Sequence, residues 1–136
     1  MQIKTHKMKN AYSVPHFFIL SKGHNSGKPL EKPCPNCFVC LCKNEEEKQK
    51  LYWLFYGLWQ GMYFHPFLTG SVIPFIRLDD VKQVIKTAIE KTLAKPDLLS
   101  KNISIMQLLD EKSEAIHQQI KLIKEAKKAM MYQLLK

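Results

Sequence analysis

From about Ile103 to Lys136 the apolar residues return at helical intervals: Leu109, Ile116, Ile123 and Met130 stand at strict sevens, with Ile120 and Leu134 between them. That spacing keeps one apolar edge along an α-helix and is the pattern of a helix that pairs with another. Ser113 and Lys127 interrupt two of the intervening positions. A helix of about thirty residues rises roughly 45 Å at about 1.5 Å per residue, more than the diameter of so small a domain. The stripe is therefore expected to meet a partner helix instead of lying back on its own domain. Leu109, Ile116, Ile120, Ile123, Met130 and Leu134 are the expected seam of a homodimer.

The chain has 136 residues, 46% of them hydrophobic, which is enough for one domain with a real core and an appended helix. Its richest apolar segment, Leu51–Leu68, is broken by Gly57, Gly61 and Pro66, so no membrane span is expected. The charged start, Met1–Lys7, leads into no apolar core segment and does not read as a secretory signal. The expected location is the cytoplasm.

Four parts are expected in order: a basic arm over residues 1–14, an α+β domain over 15–95, a linker over 96–102 and the long helix over 103–136. Phe17–Leu20 is a short β-prone run, followed by the polar loop Ser21–Pro29. Asn44 with Glu45, Glu46 and Glu47 forms a helix start, with Asn44 as cap and Glu47 at the capping-box position, for a helix reaching about Met62. Tyr52, Tyr56, Trp59 and Tyr63 give that helix a second, aromatic face, suited to core packing or to stacking on bases. Gly70-Ser71 then leads into a short strand, Ile73–Ile76, placed at a sheet edge by Pro74, and Asp79 is expected to cap a helix carrying Val81, Val84, Ile85 and Ile89. The expected class is α+β: a small mixed sheet, packed helices and a long C-terminal coiled-coil-like helix.

Cys34 and Cys37 have the spacing of a zinc knuckle, with His24 or His65 as the available helpers. Cys40 and Cys42 follow at once in a run that reads as strand, so that Cys37 points away from both. The cysteines are accordingly expected to be structural, with no metal and no cofactor.

The net charge is +9, and residues 1–44 hold seven Lys against one Glu. A basic region so placed suits a phosphate backbone, and it also suits plain solubility. The Ser21–Pro29 loop is not a nucleotide-hydrolysing phosphate loop: three residues, not four, separate Gly23 from Gly27, and Pro29 stands where a hydroxyl is needed. Its lysines and backbone donors suit contact with a nucleic-acid backbone. The histidines have no partner acid or nucleophile at a recognisable spacing, and an enzyme is not expected.

The order of parts resembles one half of the DNA-specificity subunit of type I restriction-modification enzymes, in which a target-recognition domain precedes a long helix that packs on its counterpart. The similar residues are Phe17–Lys28, Asn36–Leu41, Tyr52–Trp59, Gly70-Ser71 with Ile76 and Asp80-Val81, and the tail from Leu108–Lys112 to Lys127–Met130. The resemblance implies a non-enzymatic reader of duplex DNA that docks a methyltransferase or nuclease subunit. Lys22, Lys28 and Lys32 would then contact phosphate, His24, Asn25 and Ser26 base edges or sugar, and Arg77 is a further candidate. The alternative is a protein-interaction and dimerisation module with no nucleic-acid role.

Overall fold

A computed structural model describes all residues, Met1–Lys136. The chain divides into two units, Met1–Ile103 and Ser104–Lys136. The first unit is α+β, as expected. Four strands, β1 (Gln2–Thr5), β2 (His16–Leu20), β3 (Pro29–Leu30) and β4 (Cys37–Leu41), form one sheet in the order β1-β4-β2-β3. Every pairing is antiparallel, where a mixed sheet was expected. After the sheet come α1 (Glu45–Gln60), a short 3-10 turn at His65–Phe67, α2 (Leu78–Leu93) and α3 (Pro96–Leu134).

Strand alternation divides the sheet's side chains between two faces. Ile3 pairs with Cys40 and Cys40 with Phe17, while Phe38 pairs with Ile19, and these residues join the core with Leu51, Leu54, Phe55 and Leu58 of α1 and Val81, Val84 and Ile85 of α2. Phe55 links two rings within it: it meets Phe17 edge-on at 5.6 Å and stacks on Phe64 at 6.0 Å. Each such side chain contributes on the order of 1.5–3 kcal/mol when fully buried. On the opposite face Phe18, Cys37 and Val39 make a smaller cluster against Tyr12 and Leu30. His6 closes this cluster, its Nδ1 3.0 Å from the Tyr12 hydroxyl and its ring 4.9 Å from Phe18, while its buried Nε2 has no hydrogen-bond partner.

The basic arm expected over residues 1–14 is therefore incorporated into the fold. Its first residues are an edge strand, held because Ile3 fits the core face and because β4 needs a second neighbour. The linker expected over 96–102 is helix, since Pro96 stands at the first position of α3, where a missing amide costs nothing, and Leu99 buries in the core of the first unit. Ile73–Ile76 is no regular strand: Phe75 alone forms isolated bridges, to Lys22 and to Thr69.

The start of α1 follows the sequence expectation. Asn44 Oδ1 accepts from the Glu47 amide at 2.8 Å, and the Glu47 carboxylate accepts from the Lys43 amide at 2.6 Å. The end comes two residues earlier than expected: Gln60 is the last helical residue, and Met62 takes a left-handed conformation, φ 61°. The Tyr63 amide bonds the Leu58 carbonyl and the Met62 amide the Trp59 carbonyl, which is the Schellman closure of a helix. In α2, Arg77 and not Asp79 is the capping residue, and Asp79 and Asp80 lie in the first turn, where their charge favours the positive helix end.

The second unit is helical, and from Leu108 onward every residue is exposed, the expected seam residues included. None of the helices is long and apolar enough to cross a membrane.

Candidate functional site

The loop after β2 is closed by backbone hydrogen bonds. The Gly27 amide bonds the Leu20 carbonyl at 2.8 Å and the Leu20 amide bonds the Lys28 carbonyl at 2.9 Å, closing the loop at its neck. Gly23 and Gly27 both have left-handed φ, 97° and 98°, which lets six residues turn back so tightly. Gly27 also lies directly against Phe64, whose ring occupies the space that a Cβ would take.

A second set of bonds docks this loop onto the segment before α2 and onto Asn36, the residue before β4. The Gly23 amide donates to the Pro74 carbonyl at 2.7 Å, the Ile76 amide to the Ser21 carbonyl at 2.9 Å, and the Ser21 amide to the Asn36 carbonyl at 3.1 Å. Lys22 and Phe75 face each other as an isolated bridge between these segments. Two stretches more than fifty residues apart in sequence are thereby fixed side by side.

The result is a cleft of about 520 Å³ whose lining includes Lys22 and Arg77 with Thr5, Ser21, Asn36 and Phe75. Lys22 and Arg77 are both exposed, and neither belongs to an ion pair. Asp79 and Asp80 are not among the lining residues, so the cleft holds two cations with no carboxylate beside them in the lining, the polar residues Thr5, Ser21 and Asn36, the half-exposed ring of Phe75, and the apolar residues Phe38, Ile76 and Leu78. Such a combination can bind an anion by charge, hydrogen-bond its substituents and pack a planar group.

The structure thus brings together two of the seven expected contact residues, Lys22 and Arg77. His24, Asn25 and Lys32 are exposed outside the cleft lining. One assignment is corrected. Ser26 is 1% exposed and its hydroxyl donates to the Gly23 carbonyl at 2.7 Å, so it fastens the turn and reaches no external group. Lys28 is half-buried outside the cleft lining, with its ammonium 4.9 Å from the centre of the Trp59 ring, a cation–π contact on α1. Thr5, Asn36 and Phe75 were not expected in a site. Only the long-range docking of the loop gathers them, and no local spacing announces it.

The cysteines follow the expected alternation. Cys37 lies in the cluster on one face and Cys40 and Cys42 in the core on the other, and no group of three or more His, Cys, Asp or Glu residues is placed to hold a metal ion. Burial pushes the thiols of Cys37, Cys40 and Cys42 above their ordinary value and so disfavours the thiolate that a metal needs. The Cys37 thiol donates to the Cys34 carbonyl at 3.1 Å.

A family model matches residues 3–133, and the chain belongs to that family, a family of unknown function designated DUF6943. No curated protein and no solved structure matches the chain.

Proposed function

We propose that this member of the DUF6943 family is a non-enzymatic nucleic-acid-binding protein that holds the phosphate backbone of duplex DNA in the Lys22–Arg77 cleft. The observation that supports this most is the docking of the Ser21–Lys28 loop onto Pro74–Ile76, which sets two unpaired cations at one opening. Each cation that replaces condensed counterions on DNA gains the entropy of their release. Thr5 and Asn36 add hydrogen-bonding groups, and the lysine surplus of residues 1–44 adds a long-range attraction. A half specificity subunit of the type I restriction-modification kind, docking a methyltransferase or nuclease, is the biological setting that this reading suggests.

The test is fluorescence anisotropy with a labelled duplex at low salt. Replacing both Lys22 and Arg77 by Ala should weaken binding and reduce the slope of log K against log salt by about two units. A second reading, an interaction module without nucleic acid, is favoured by the exposed apolar stripe of the second unit. It takes over if the wild-type protein binds no duplex at low salt.

A further inference from the structure

We infer that the Ser104–Lys136 helix pairs with a second copy of itself in antiparallel orientation, with Ile120 of one copy layered on Ile123 of the other. Leu109, Ile116, Ile123 and Met130 are 55–72% exposed, and Ile120 and Leu134 share their side of the helix at 45% and 75%. An apolar edge of this length on a water-exposed helix, broken only at Ser113 and Lys127, calls for a cover of matching length and spacing, and a second copy has both.

The interruptions choose the orientation. In a parallel pair each position of the seam faces itself, so Lys127 would meet the other Lys127 and Ser113 the other Ser113. Two ammonium groups pressed together at a dry seam oppose association strongly. In an antiparallel pair centred between Lys121 and Leu122, Leu109 faces Leu134, Ser113 faces Met130, Ile116 faces Lys127 and Ile120 faces Ile123. Each interruption then meets an apolar residue, over which the long lysine stem lies while its ammonium reaches water.

Charge along the helix favours the same orientation. Residues 104–119 carry Asp110, Glu111 and Glu114 against Lys112, whereas residues 120–136 carry five lysines against Glu125. Parallel pairing sets the basic halves together, and antiparallel pairing sets each basic half on an acidic one. The opposed helix dipoles act in the same direction. This pairing is independent of what the cleft binds.

The test uses the full chain and two kinds of variant. Sedimentation equilibrium should give a dimer at tens of micromolar. Ile123→Glu, which faces Ile120, should raise the dimer dissociation constant by about a hundredfold or more, whereas Ile116→Glu, which faces Lys127 of the other copy, should raise it by less than about tenfold. Under mild oxidation, a mixture of Leu109→Cys and Leu134→Cys chains should form a mixed disulfide absent from the wild type, and Leu134→Cys alone should form none at that position. A wild-type monomer, equal loss from the two Glu variants, or self-linking of Leu134→Cys would each overturn the inference.

Discussion

The Lys28 ammonium lies 4.9 Å from the centroid of the Trp59 ring, although Lys28 closes the same loop on which Lys22 lines the cleft. Two lysines six positions apart therefore do different work, one fastening the loop to α1 and the other facing solvent beside Arg77. Lys28→Ala should lower stability by about 0.5–1 kcal/mol while leaving the salt slope of duplex binding nearly unchanged. Lys22→Ala should do the reverse. Chemical denaturation and anisotropy on the two variants check both halves, and equal effects on binding would remove the distinction.

Gly27 and Gly23 share a left-handed φ but not their surroundings. A Cβ at Gly23 meets open space, whereas at Gly27 it would overlap the Phe64 ring, which is itself stacked on Phe55. Gly23→Ala carries backbone strain alone, on the order of 1 kcal/mol, and Gly27→Ala adds overpacking of about 1–3 kcal/mol. Thermal denaturation should rank Gly27→Ala well below Gly23→Ala. Equal melting temperatures would mean that Phe64 yields freely.

Met62 holds the left-handed position of the Schellman closure after α1, with φ 61° and more than half of its surface exposed. Glycine avoids the clash of a Cβ in that conformation. Met62→Gly should therefore stabilise the first unit by a few tenths to about 1 kcal/mol, net of the extra freedom of glycine in the unfolded chain. A fall in the denaturation midpoint would show that the methionine side chain matters more than the backbone conformation.

The Lys43 amide donates to the Glu47 carboxylate and holds its pKa below the ordinary 4.5. A carboxyl whose folded pKa is depressed contributes stability that is fully present above the unfolded value of 4.5 and is lost as pH falls through the lower folded value. The difference in urea midpoint between wild type and Glu47→Gln should hence be largest near neutral pH and shrink below about pH 4. A difference that widened on acidification would contradict this assignment.

Much of the scaffold was legible where local chemistry decides it. Asn44 with three following glutamates marked the start of α1, and alternation along Cys37–Leu41 separated Cys37 from Cys40 and Cys42. Less was legible where a partner distant in sequence decides. Gln2–Thr5 has one buried residue and becomes a strand only because β4 lies beside it. Pro96 signalled a break when it was the start of a helix, because proline suits both a loop and a first helical turn. The cleft was half legible: Lys22 and Arg77 were named from charge and position, but Ser26 and Lys28 looked equally available. Their neighbours, the Gly23 carbonyl and the Trp59 ring, are contacts that only the folded loop creates.

The most direct measurement of the central proposal is the affinity of the full chain for a duplex of about twenty base pairs across a salt series from about 50 to 200 mM. With Lys22, Arg77 and two further cations of the basic region on phosphate, log K should fall against log salt with a slope of about −4. Removal of Lys22 and Arg77 should bring that slope to about −2. A flat salt dependence, or a slope unchanged in the Lys22→Ala, Arg77→Ala protein, would contradict the assignment of the cleft as the DNA-binding site.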